Sequence, residues 1–419
     1  MNKRIENLLP TLIMMLALWA PASMSAQTGI NSPYSRYGLG VLSDNSTGIA
    51  KSMGGIGAGF RMPNKMNLKN PASYSSVDTL TFIADLGFTL NFSNFQENGV
   101  KVNANNAYMD HMAMQFRILP RVGVTLGIMP FSNVGYSFSK KEVVRIDEDG
   151  VITSTGASSG TGGVRQFMGG FGWRPADWLS VGMNASYLTG DITRQTSETF
   201  STSAIQSASR TYTAEMSALK LDFGIQGTVC LGKNTLVLGA TFAPSQELES
   251  NCSRIDEGFN SDTLSVPDAF RLPELVSAGF TYKWKNRMIG ADVSYQTWSK
   301  AKFFGEEYGE DRLSASAGYM VLPDETSKSL LKRTSYQFGA KFSQPYFNIG
   351  GKSGPLEFGV TAGFSMPITS SYNSMSFLHV SGEYVHVQPM EKGMIVENCL
   401  RLNIGVSFME RWFMKWMVD

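Results

Sequence analysis

The chain has 419 residues, with 36 Lys and Arg against 35 Asp and Glu, a formal net charge of +1. That balance argues against a nucleic-acid binder, which usually carries a basic surplus. Three cysteines, at positions 230, 252 and 399, exclude a dense disulfide framework.

The N-terminus reads as a secretory signal peptide over residues 1–26. Lys3 and Arg4 precede an apolar run from Leu8 to Ala20, and small residues follow at Ala22, Ser23, Ser25 and Ala26. The apolar run is shorter than the ~20 residues a spanning helix needs, and no later stretch approaches ~18 uninterrupted apolar residues. No cysteine lies near the cleavage region, which argues against a lipid anchor. The exported chain is therefore either soluble or a membrane β-barrel. Its 42 glycines, 26 phenylalanines and 15 tyrosines favour the barrel, because strands there need close backbone approach and interfacial aromatic girdles.

Residues 27–78 show neither a helical nor a strand period. The stretch NSPYSRYGLG, Asn31–Gly40, packs two tyrosines, an arginine, a proline and two glycines into ten residues. Tyr34 and Tyr37 are expected to wedge against a barrel lumen, and Arg36 to pair with an inward carboxylate. The glycine-rich MGGIGAGF, with Gly54 and Gly55, lacks the following helix of a phosphate-binding loop. Backbone packed closely in a crowded interior is the better reading.

From Thr79 the pattern changes to period two, the signature of a sheet with two unlike faces. In TLTFIADLGFTLNFSNF, Leu80, Phe82, Ala84, Leu86, Phe88, Leu90 and Phe92 share one face, and from Thr79 to Ser93 Ile83 is the exception on the other. The alternation recurs in MAMQFRI, VGVTLGI, LKLDFGIQGTVCL, VSAGFTYKW, MIGADVSYQTW, LEFGVTAGFSM and CLRLNIGVSF. Such long alternating runs suit tilted spanning strands of ~9–11 residues. Turns such as Arg174–Asp177 and Gly232–Asn234 fit the short periplasmic side. Four polar stretches, around residues 145–163, 193–215, 247–265 and 301–330, read as long extracellular loops. Residues 79–419 are thus expected to form an all-β, transmembrane antiparallel barrel, with about 12–14 strands from this count.

The chemistry-bearing residues form no recognisable set. His111, His379 and His386 sit in no metal-ligand spacing, and no nucleophile elbow or Cys/His dyad occurs. No catalytic residue, metal or cofactor is assigned.

Read in order, several stretches resemble FadL/TodX-type outer-membrane transporters. MGG at Met53–Gly55 followed by NPAS, with Asn70, Pro71 and Ala72, is similar to that family's N-terminal plug. LPELVSAGFTYKWKNRMIGADVSYQTW, with Pro273, Gly279, Asp292 and Trp298, is similar to its mid-barrel signature. SPYSRYGLG, IMPFSNVGYSF and the closing ERWFMKWMVD are similar to FadL-like barrels of Bacteroidota. The resemblance implies a barrel of about 14 strands in the outer membrane of a Gram-negative bacterium, with residues 27–78 folded inside the lumen as a plug. It implies contact with outer-membrane lipid and passive uptake of a hydrophobic, long-chain fatty acid-like ligand through a wall opening. Some relatives instead serve protein secretion or surface assembly, so a secretion or surface-protein partner is the alternative. Pro273 marks a possible wall irregularity, since proline cannot donate to the sheet ladder; its other reading is a proline at the start of a strand.

Overall fold

The alternating segments become fourteen antiparallel strands in one closed wall. This computed structural model describes residues 29–411 except 98, 148–149, 203, 258–261, 267–269, 302–308, 371–373 and 392. The anticipated signal peptide and most of the closing ERWFMKWMVD lie outside the described residues. The first four strands are β1 (Thr81–Glu97), β2 (Val100–Leu119), β3 (Val122–Asp147) and β4 (Gly150–Ala176). They are followed by β5 (Leu179–Phe200), β6 (Ala208–Leu231), β7 (Asn234–Ala243), β8 (Leu275–Trp284) and β9 (Arg287–Gln296). The last five are β10 (Arg312–Val321), β11 (Ser335–Ser343), β12 (Leu356–Ser370), β13 (Ser374–Gln388) and β14 (Val396–Arg411). The wall closes where β1 pairs with β14, from Thr81↔Arg411 to Gln96↔Val396.

The two faces differ as the alternation requires. Phe88, Phe92, Leu126, Phe171, Leu219, Leu238, Phe338, Val360 and Leu400 are all exposed. So continuous an apolar belt marks a lipid-facing surface. The opposite face carries buried polar side chains such as Asp85, Thr89, Asn91, Gln226 and Thr361. No helix among the described residues is long and apolar enough to cross a membrane.

All four expected loops carry strand; in residues 247–265 it is Glu249–Glu257, paired with β6, and Asp262–Val266, paired with Glu249–Glu257 in turn. Residues 145–163 and 193–215 are largely strand, because β3 to β6 run for 26, 27, 22 and 24 residues. That is about twice what a spanning strand needs, so these hairpins stand well clear of the belt. They are polar on both faces and therefore resemble loops in sequence. The stretch 301–330 also hides a wall strand, β10, paired on both sides. Its outward positions include Ala315 and Ala317 beside Leu313 and Tyr319, too small a contrast with the inward Ser314, Ser316 and Gly318 to stand out.

Among the described residues the wall ladder is interrupted once, between β2 and β3. Their pairing runs only from Met112↔Ile128 to Leu119↔Val122, and residues 100–111 and 129–147 do not pair with each other. Part of that split is occupied by the N-terminal segment, whose short strand Val41–Leu42 pairs antiparallel with Ser132 and Asn133 of β3. Pro273, read as a possible wall irregularity or as a proline at a strand start, lies away from this split. The ladders of β8 with β7 and β9 are continuous, and Pro273 lies just before β8 begins.

Candidate functional site

Residues 29–77 lie against the polar face of the wall, in three seats. The upper seat takes NSPYSRYGLG. Pro33 opens a short 3-10 turn, Pro33–Arg36, as its fixed φ favours at the first helical position. Tyr34 is buried and its hydroxyl donates to the Ile395 carbonyl at 2.6 Å. Tyr37 stacks on Phe347 with centroids 5.1 Å apart. The Ser32 hydroxyl donates to Glu397 at 2.7 Å, and Arg194 donates to the Gly38 carbonyl at 2.6 Å. Trp298 joins this cluster, fully buried, packing on Tyr346 at 4.7 Å. Arg36 departs from expectation. It is exposed, and its guanidinium lies over the Tyr37 and Phe138 rings at 5.1 and 5.6 Å instead of beside a carboxylate. Two aromatic faces take the cation, and no acid among the described residues bonds it.

The middle seat joins two motifs that are far apart in sequence. The carboxylate of Asp292 accepts from the backbone N–H groups of Gly57 and Ala58. Gly279, opposite Asp292 in the ladder, leaves the room this side chain needs, since a Cβ there would sit 1.8 Å from its oxygen. Gly54 has φ +74 and donates to Thr361 at 3.0 Å, a conformation that glycine adopts without strain. Gly55 accepts from Lys69 at 2.5 Å. The wall is cut back to receive this backbone: a Cβ on Gly239 would lie 1.8 Å from the Ala58 carbonyl, and one on Gly339 2.1 Å from the Gly54 nitrogen.

The lower seat is NPAS. Asn70 caps the turn Pro71–Ser76 by accepting from the Ala72 N–H at 3.0 Å. Its amide donates to Ala58 at 2.7 Å and to the Ile225 wall carbonyl at 3.3 Å. Pro71 and Ala72 lie against Gly172 and Gly182 of the wall, where a Cβ would approach their backbone within 2.6 Å. Arg61 holds the Ala72 carbonyl, Ser75 and Gln226 together.

Between the middle seat and the upper wall lies a cavity of about 320 Å³. Its lining is charged and internally paired. Lys51 bonds Asp110, Lys69 lies 2.7 Å from Asp44, Lys220 bonds Asp222, and Lys341 and Arg401 both bond Glu383. Tyr108 and Asn133, one on each side of the wall split, also line it. The alternation of LKLDFGIQGTVCL already puts Lys220 and Asp222 on the polar face, but sequence reasoning missed that these charges gather and pair. The inward positions of the alternating strands could have flagged Lys341, Glu383 and Arg401. Asp110 is itself the extra residue of a bulge, between His111 opposite Gly87 and Met109 opposite Phe88.

Asp44, Lys51 and Lys65 are among the perturbed groups of the segment. Burial works to raise the Asp44 carboxyl, but Lys69, Lys341 and Lys51 outweigh it and hold it well below the usual carboxylate range. Burial works against the Lys51 ammonium, but Asp110 outweighs it and raises its pKa. Lys65 has no such rescue. Burial pushes it down to about 7, with Asp85 and Glu325 only partly opposing, and its ammonium nitrogen sits 3.0 Å above the Phe377 ring centre.

A Ser/His/Asp cluster also lies inside the wall. His379 bonds Ser365 at 2.6 Å and Ser407 at 2.8 Å; Asp85 accepts from Ser407 and bonds His111 at 2.6 Å. The carboxylate is on the serine and on a second histidine, so no imidazole is both oriented by an acid and bonded to a serine, as nucleophilic catalysis needs. All five side chains are buried, and none lines the cavity. Among the described residues no group of His, Cys, Asp and Glu could hold a metal.

A closed fourteen-strand barrel with a lipid belt and a polar interior defines an outer-membrane barrel protein of a Gram-negative bacterium. Its fold is that of the FadL-type transport barrels. The Ralstonia pickettii toluene transporter TbuX superposes with a TM-score of 0.59 at 13% identity, covering 88% of this chain and 99% of that one. The Pseudomonas putida toluene transporter TodX gives 0.57 at 12% over 89% and 100%. A Pseudomonas aeruginosa FadL homologue gives 0.58 at 10% over 88% and 98%. No curated protein matches the sequence. The chain belongs to the BamG family, whose model matches residues 1–419.

Proposed function

We propose that the chain is a plugged transport barrel in which residues 27–78 close the lumen and the split between β2 and β3 is a side passage for a hydrophobic, long-chain fatty acid-like solute. The observation that carries this reading is the position of the split. It is the one break in the wall ladder among the described residues, and Tyr108 and Asn133 on its two sides also line the lumen cavity. The solved barrels of the same fold named as toluene transporters support it. The charged cavity lining narrows the solute: it suits a molecule with a polar head beside its apolar tail, because a bare hydrocarbon would strip water from ionised groups without replacing their hydrogen bonds. Neither the histidine cluster nor the fold supports an enzyme. The test is uptake of labelled palmitate by cells lacking the protein and by complemented cells. Uptake is expected to fall several-fold on deletion and to recover on complementation; unchanged uptake overturns transport.

A second reading, a barrel that serves secretion or surface assembly as a binding partner, is favoured by two observations. The charges of the cavity neutralise one another instead of waiting for a ligand, and β3 to β6 build a tall rim beyond the belt. Cysteines at Ser158 in that rim and at Lys233 in a short turn test the orientation common to both readings. An impermeant thiol reagent on intact cells is expected to label the first and not the second.

A further inference from the structure

Strand β3 has 26 residues, and its upper part stands clear of the belt. On one side it pairs with β4 along its length. On the other, the split leaves it without a neighbouring wall strand above Ile128. The chain's own N-terminal segment takes the first part of this edge. Ser43 donates to the Phe131 carbonyl at 3.0 Å, Val41–Leu42 pairs antiparallel with Ser132 and Asn133, and Ser32 donates to the Gly135 carbonyl at 2.8 Å. Gly135 also donates to Ser35 at 3.1 Å, so both backbone groups of Gly135 face the split. Backbone groups in a strand alternate sides every second residue, and no register shift falls between Ser132 and Val143. The N–H and C=O groups of Ser137, Ser139 and Lys141 therefore face the split as well. No described residue pairs with them, and residues 137–144 are exposed.

A bare, solvated edge of this length is a template for strand addition. Lys140 lies 2.5 Å from Glu142 and is neutralised. Lys141 on the edge and Lys101 across the split have no carboxylate partner among the described residues, so the free edge is net basic. We infer that the β3 edge at Ser137–Val143 docks an extended acidic segment of a partner protein, which adds as an antiparallel strand directly above the chain's own Val41–Leu42. The direction is the one that strand already takes on the same edge.

The test is amide hydrogen exchange of the full chain, resolved at Ser137, Ser139 and Lys141, in native outer membranes and in the detergent-purified monomer. Exchange is expected to be on the order of tenfold slower or more in the native membrane, as for hydrogen-bonded strand amides. Equal exchange in both overturns the proposal. Slowing that appears in the purified protein as its concentration rises overturns it in favour of a second copy. Ser139→Pro removes a donor that faces away from β4, a place where an edge strand tolerates proline, and is expected to abolish the slowing at Ser137 and Lys141. Lys141→Glu is expected to weaken it, and unchanged slowing would overturn the acidic partner. Exchange at the β3 edge is read in wild-type protein independently of palmitate uptake, so failure here and failure of the transport reading are separable.

Discussion

Strand β1 is paired along both edges, to β14 and β2, and turns Phe88 and Phe92 to lipid. Residues 29–77 make almost none of these bonds. They are held by side chains reaching to the wall and by wall glycines that let backbone touch backbone. The wall therefore stands on many similar, locally redundant contacts, and the segment on a few unlike ones. Single substitutions should loosen the segment while leaving the wall intact, and heat-modifiable gel mobility of the barrel separates the two.

The largest effect is expected at Lys51. Both partners of the Lys51–Asp110 pair are nearly buried, and Thr89 shares the carboxylate. Lys51→Met strands that charge, and breaking such a pair costs ~3–5 kcal/mol. Hydrogen exchange across residues 44–60 should rise sharply and vancomycin sensitivity should increase, with barrel mobility unchanged. A drop in barrel mobility would show that wall and segment fold as one unit. Gly239→Val comes next, at ~1–3 kcal/mol for overpacking. Valine is a good strand residue, and the nearest atoms its Cβ would meet are those of Ala58 and Gly59 in the segment. Loosening of the segment with no loss of wall stability is the expected result.

The same contrast decides what was legible in the sequence. Period two exposed the wall because each strand meets two uniform media, lipid outside and polar groups inside. Ile83, a violation in the first half of β1, is buried against Met66, Leu68 and Tyr74 of the segment, so the exception was the trace of a docking site. The motifs MGG, NPAS and the stretch around Asp292 were visible, but not that Asp292 grips Gly57 and Ala58. That contact spans 235 positions and leaves no local period. Arg36 failed for a similar reason: an arginine in an aperiodic segment announces a charge but not whether an acid or an aromatic face will meet it. The rim of β3 to β6 was read as loop because water on both faces erases the alternation.

A smaller effect is expected at Asn70. Loss of the cap costs ~1 kcal/mol, and Asn70→Ala also drops the bonds to Ala58 and Ile225. Exchange should rise in residues 70–77 and not in 30–43. Equal loosening of both would mean that the three seats cooperate, which the separate anchors argue against.

The smallest effect, and the one most specific to the segment, is its pH dependence. Lys65 gives up its proton at about 7 when docked, whereas the released side chain holds it to about 10.5. Between these values the released state binds more protons, so docking strengthens as pH rises. From pH 7 to 8 the gain is about 1 kcal/mol, bounded by the 1.36 kcal/mol that one unit represents. Asp44 acts in a separate window. Its docked carboxyl titrates well below the usual carboxylate range, so its contribution is complete above that range and is lost as pH falls through and below it. Exchange of residues 61–69 should therefore slow from pH 7 to 8 after correction for the intrinsic rate, and Lys65→Met should remove that slope without touching the acid limb. A slope that survives Lys65→Met would place the titrating group in the wall, and the division between a uniform wall and a charge-anchored segment would have to be redrawn.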